Sequence, residues 1–168
     1  MDMSALSRLK SAKFLKVWEA LCIIILAVFI SLTVGSTRTS DASAKEVCDK
    51  VLQAAGIDSL TLRKNDSFKK SFGLDAKSFD EVVYYSSDDI MTVDEILVVK
   101  LKEGVSADSL MSSVTGYAQD RFNIYNGYAQ AQSELLANYV LKHSGNFVLF
   151  AVCSDAHLAQ DEFIKALK

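Results

Sequence analysis

Proline is absent from this chain, and tryptophan, histidine and glycine are scarce: one, two and seven among 168 residues. Without proline, helices and strands can run uninterrupted, although that says nothing about activity. No glycine-rich phosphate loop is present, and neither G-x-S-x-G, H-E-x-x-H nor Cys-x-x-Cys occurs. The familiar sequence signatures of serine hydrolases, helix-borne zinc sites and dithiol chemistry are therefore missing. No residue cluster specifies a reaction, and neither an enzyme nor a cofactor is expected.

What the chain does have is one long apolar run near its start. Arg8, Lys10, Lys13 and Lys16 precede it against Asp2 and, at the cytoplasmic edge, Glu19, and "ALCIIILAVFISLTV" then continues without a charge to Val34. Basic residues before an apolar run hold the leading end in the cytoplasm. Residues 17–34 would span about 27 Å as a helix, close to the ~30 Å hydrocarbon core. We expect a basic cytoplasmic segment over 1–16 and a transmembrane signal-anchor over 17–34. A flexible tether follows over 35–44, then an extracytoplasmic domain over 45–168. The alternative is cleavage near Val34-Gly35-Ser36, which would release a secreted protein. Cys22 lies at the start of the run, not after it, so it is not placed to carry a lipid.

From Thr39 onward the chain holds 13 Lys plus Arg against 19 Asp plus Glu, a charge of −6 that opposes nucleic-acid binding. Cys48 and Cys153 remain as a distant pair. They can form a disulfide in an exported domain, or sit as buried thiols on a helix stripe and a strand end.

Hydrophobic patterning outlines the domain. "SDASAKEVCDKVLQAAGI" predicts a helix stopped by Gly56. "LTLRKNDSFKKSFGLD" has no clear period and reads as a loop with a turn near Gly73. "FDEVVYYSS" and "DEILVVKLK" predict two paired strands. A second helix runs from Ser106 to Asn126-Gly127. "ELLANYVLKHSGNFVLFAVCSD" predicts a hairpin about Gly145-Asn146, and Asp155 opens a last helix. The expected fold is α+β: a two-layer sandwich, one antiparallel sheet of two hairpins with helices on one face.

Three constellations hold residue types that can carry chemistry. His143, Cys153, Asp155 and His157 carry metal-ligand types, but a turn at Gly145-Asn146 sets His143 opposite Val148, roughly 16 Å along the strand from Cys153; no metal site is expected. Asp88-Asp89 and Asp94-Glu95 are carboxylate pairs of a kind glycosidases use, but adjacent carboxylates in a turn are usually solvated. The third interleaves rings and amides: Tyr117, Phe122, Tyr125, Tyr128 and Tyr139 with Gln119, Asn123, Asn126, Gln130, Gln132 and Asn138. Such residues build recognition surfaces, or the rings face the core while the amides face water.

The strand "DEILVVKLK", the helix "GYAQDRFNIY" and the run "GYAQAQSELLANYVLKHSGNFVLFAVCSD" together resemble a bacterial domain-of-unknown-function family. The shared features are the acidic start of the strand, Arg121, Tyr128-x-x-x-Gln132, and Asn138 ahead of the Gly145-Asn146 turn. The chain carries Gln130 where the family often has proline, and it lacks a lipobox. The resemblance implies an exported protein, lipidated or singly anchored and mainly of Gram-positive bacteria, with no known reaction. The resulting expectation is a membrane-tethered binding module of the cell envelope. Its partners would be the membrane, through the N-terminal helix, and an envelope protein or cell-wall component. The binding residues expected are Arg121, Tyr125, Tyr128, Gln132 and Asn138. The alternative is an envelope hydrolase acting on peptide or glycan, with acidic residues such as Asp120 and Glu134 around a cleft.

Overall fold

The computed structural model describes Trp18 and residues 22–26, 39–57 and 59–168. The chain divides into two compact units, Met1–Arg38 and Thr39–Lys168. In the first, Trp18 and residues 22–26 are helical. Most of the expected signal-anchor lies outside the described residues, among which no helix is long and apolar enough to cross a membrane.

In the second unit, helix α1 (Ala44–Ala55) is capped by Ser43, whose side chain accepts from the Glu46 amide. It ends at Gly56, where φ of 64° favours glycine. The short strand β1 (Thr61–Leu62), helix α2 (Asn65–Phe72) and a 3-10 turn (Ala76–Ser78) follow. Then come β2 (Glu81–Ser86), β3 (Glu95–Lys100), α3 (Asp108–Tyr125), α4 (Gln130–Ala137), β4 (Val140–Ser144), β5 (Phe147–Val152) and α5 (Ala156–Ala166). The loop reading of 60–75 is corrected by β1 and α2. Phe68 and Phe72 are the only buried residues of α2, so its stripe is two rings long and sets no visible period. Residues 134–137, which open the expected hairpin, instead end helix α4.

All strand pairings are antiparallel, in the order β1-β2-β3-β5-β4. Glu81 pairs with Lys100 and Ser86 with Glu95; on the other side of β3, Glu95 pairs with Val152 and Lys100 with Phe147. The β4–β5 hairpin turns at Gly145-Asn146 as expected, with His143 opposite Val148.

The expectation of helices on one face is corrected: both faces are covered. Leu97, Val99, Val148, Phe150 and Val152 pack with α2, α3 and α4. Ile96, Val98, Phe147, Leu149 and Ala151, their alternates in sequence, pack with α1 and α5. The architecture is thus three layers, helix–sheet–helix, within the α+β class. "EILVVK" and "FVLFAV" are nearly continuous apolar runs, the pattern of strands buried on both sides.

Residues 40–44, assigned from sequence to the tether, are bonded to the sheet. The Asn146 side chain accepts from the Ser40 amide at 2.8 Å and donates to the Ser40 carbonyl at 3.1 Å. The Ala44 amide donates to Glu81 at 2.7 Å, and Lys100 to the Ala42 carbonyl at 3.0 Å.

Candidate functional site

Glu95 opens β3 and is fully buried, so the solvated carboxylate pair inferred for Asp94-Glu95 is corrected for its second member. The register places Glu95 on the same face as Tyr84 and Leu97, beneath α3. Its Oε2 accepts from the Tyr84 hydroxyl at 2.8 Å and the Tyr117 hydroxyl at 3.0 Å, and its Oε1 accepts from Arg121 at 2.9 Å. Tyr117 and Arg121 stand four residues apart on α3, and so share one face. Arg121 also donates to the Tyr117 hydroxyl at 3.0 Å and to the Thr92 carbonyl at 3.4 Å. Its guanidinium lies 5.7 Å from the ring centroids of both Tyr117 and Tyr125.

Burial pushes the Glu95 carboxyl above its usual range, against the opposing pull of Arg121 and the two phenols. Burial and the Glu95 charge likewise raise both Tyr84 and Tyr117. Desolvation would lower Arg121, but the Glu95 charge and the tyrosines outweigh it and hold the guanidinium up. With its oxygens occupied and no exposure to solvent, Glu95 cannot take a proton from a substrate. This node ties β2, β3 and α3 together.

Beside the node a cleft of about 640 Å³ opens, walled by Lys70, Ser87, Asp94, Asp120, Arg121 and Tyr125. Asp94 is raised by desolvation. Tyr125 is buried, and its hydroxyl donates to the Ile90 carbonyl at 2.6 Å, pinning the β2–β3 loop to the end of α3. Within that loop Ser87 accepts from the Asp89 amide and Asp89 from the Met91 amide. Tyr128, 64% exposed, stacks on Tyr125 with centroids 5.6 Å apart.

Of the residues singled out from sequence, the structure brings together Arg121, Tyr125 and Tyr128. Gln132 and Asn138 lie on and after α4. The Gln132 Oε1 is buried without a partner, and Asn138 closes α4 by donating to the Glu134 carbonyl at 2.8 Å. Tyr117, Phe122 and Tyr139 pack on the core, while Gln119, Asn123, Asn126 and Gln130 are exposed. The alternation of core rings and wet amides therefore describes this segment, with Tyr128 and Gln132 as the exceptions. Sequence reasoning missed Glu95 and Tyr84 as site residues. The available signal was an acidic residue opening an otherwise apolar strand, with arginine on a later helix.

Asp120 and Glu134 do not share a cleft. Glu134 lines a separate hollow of about 500 Å³ with Asn138, Cys153 and His157. Burial pushes the Cys153 thiol up to about 11, away from a nucleophilic thiolate. His143 contacts the Gly145 carbonyl instead, and among the described residues no group of three His, Cys, Asp or Glu could hold a metal ion. Cys48 and Cys153 are free thiols buried in one apolar cluster, and no disulfide joins them.

Residues 55–153 match the family described as Domain of unknown function (DUF4358). The chain belongs to this family. No curated protein and no solved structure matches it. The DUF4358 match takes in all five strands, α2, α3, α4 and the Glu95–Arg121 node; α5 and all of α1 but Ala55 lie outside it. The whole cleft thus belongs to the matched stretch.

Proposed function

We propose that this DUF4358 protein is a membrane-tethered, extracytoplasmic binding module of the cell envelope that engages a protein or wall component through the cleft beside Arg121. The observation carrying this reading is the division of labour within the cleft. The innermost charges, Glu95 and Arg121, are committed to each other and to tyrosines, while exposed side chains form the rim. That arrangement suits a rigid recognition surface better than proton transfer. The basic, apolar N-terminal run supports the tether, which would raise the domain's local concentration near anchored partners.

The topology is tested by adding protease to intact protoplasts carrying a C-terminally tagged chain. Digestion of the tag is expected; protection would overturn the reading. The binding role is tested by a photo-crosslinking amino acid in place of Ile124, with the same group at Leu158 on α5 as control. Crosslinks to an envelope component from position 124 only are expected, and equal capture from both positions would remove the cleft from the proposal.

An envelope hydrolase of peptide or glycan is the second reading, favoured by Asp94, a desolvated carboxyl with raised pKa in the same cleft as Asp120. It predicts release of soluble fragments from purified cell wall, abolished by Asp94→Asn.

A further inference from the structure

The chain enters the second unit at one end of the sheet, and the cleft opens at the other. Ser40 is clamped by Asn146 in the β4–β5 turn, Ala42 by Lys100, and Ala44 by Glu81. These anchor residues sit at the row where Lys100 pairs with Glu81 and with Phe147. The cleft residues Ser86 and Arg121 gather at the row of Glu95, which pairs with Ser86 and with Val152. Five residue steps separate the two rows, roughly 17 Å of strand. An incoming partner reaches the cleft without crossing the segment that leads into the domain.

At this far end large apolar side chains are exposed: Ile90 at 85%, Tyr128 at 64%, Ile124 at 61% and Met91 at 56%. Ile90, Ile124 and Tyr128 are joined as one rim. Ile90 and Ile124 line the same cleft, the Tyr125 hydroxyl holds the Ile90 carbonyl, and the Tyr128 ring lies on Tyr125. Clustered exposed apolar groups rimmed by polar ones mark interaction sites. The wall between them is acidic. Asp89, Asp94 and Asp120 make no ion pair among the described residues, and of the two cations in the cleft Arg121 is already matched by Glu95.

We infer that this rim and cleft dock a polypeptide segment whose apolar side chains are flanked by lysine or arginine. The apolar groups cover Ile90, Ile124 and Tyr128, and the cations meet the free carboxylates. An anionic lipid surface or nucleic acid would be repelled by the same wall. The inference rests on the binding-module reading for its site, and it adds the partner's chemistry and direction of approach.

The test uses the full chain in nanodiscs of zwitterionic lipid, panned against a displayed library of random dodecapeptides. Expected is enrichment of sequences combining apolar residues with Lys or Arg. Binding of a synthesised winner should weaken at least tenfold in Ile124→Asp, and should lose its preference for lysine over glutamate in the combined Asp89→Asn, Asp94→Asn, Asp120→Asn variant. Raising salt should weaken it further. Circular dichroism and thermal melts of both variants exclude misfolding as the cause. Enrichment of acidic or purely polar sequences, no enrichment, or binding unaffected by Ile124→Asp would each overturn the inference. So would a dimer in sedimentation that Ile124→Asp abolishes, because the rim would then cover a second copy. The protoplast protease result stands apart: an inverted topology removes the envelope setting while leaving the peptide measurement to decide the docking chemistry.

Discussion

The two faces of the sheet are built from different materials. Against one face, α1 and α5 present Ala44, Cys48, Val51, Ala55, Ala156 and Ala159, with Phe163 the one buried ring among them. Against the other, α2 and α3 present Phe68, Phe72, Tyr117 and Tyr125 around the strand residues Tyr84 and Phe150. Both residues that are buried and polar among the described residues, Glu95 and Ser133, belong to that second, aromatic side. Small side chains let helices lie close on a sheet. Large rings held by hydroxyls and an ion pair leave a cleft at their margin. The cleft falls where the packing is polar and directional, and the apolar face serves as foundation.

The sharpest way to break this contrast is Arg121→Met. It strands a fully buried carboxylate, and removing one partner of a buried pair costs about 3–5 kcal/mol, measurable by urea unfolding at neutral pH. The loss should shrink in acid. The native Glu95 carboxyl lies above its unfolded value, so the native state holds the extra proton. Its contribution is most favourable below the unfolded value of about 4, and stability declines as pH rises from there through the native value. Arg121→Met should steepen that decline, and Glu95→Gln should abolish it.

On the apolar face the counterpart is Leu149→Ala, expected to cost about 2–5 kcal/mol through lost burial and a cavity. That cost should be the same at pH 5 and pH 8, because Leu149 is fully buried among apolar side chains and its cross-strand neighbour Lys142 is exposed. A pH-dependent loss would contradict the division between the faces.

A smaller effect is expected from Tyr125→Phe, which removes one hydrogen bond to Ile90, worth about 0.5–1.5 kcal/mol. The β2–β3 loop should then be cut faster by added protease while the global melt moves little. The smallest change sought is a null. In a Cys22→Ser chain, Cys48 and Cys153 should stay unlabelled by maleimide at pH 8 until urea unfolds the domain, since burial raises them to about 12 and about 11. Labelling of Cys153 in the folded protein would show that the apolar face opens locally.

Much of this was readable in the chain, and the failures share a cause. The helices α1, α3 and α5, the β2–β3 pair and the Gly145-Asn146 turn follow from local pattern, each carrying several apolar positions or a glycine with positive φ. The short elements α2 and α4 each bury only two residues, too few to display a period. The second helical layer is not visible in "EILVVK" and "FVLFAV" taken as strands of two hairpins, because pairing fixes neighbours within the sheet and not what covers each face. Tyr125 and Tyr128 stand out from the interleaving of rings and amides, and Arg121 from the family resemblance. Glu95, at the centre of the network, was read as solvated because its neighbour Asp94 and the preceding loop are polar.

By itself the amino-acid sequence determined the acidic balance of the domain, the oily basic-flanked run that precedes it, and the regular elements. Those depend on side chains within about one helical turn or one strand of each other, and local steric and hydrophobic preferences settle them. Only the tertiary structure decided that Glu95, Tyr84, Tyr117 and Arg121 meet and that the chain's entry and the cleft lie at opposite ends. Those juxtapositions join residues up to 106 apart, and no local preference encodes a contact made only after the sheet has closed.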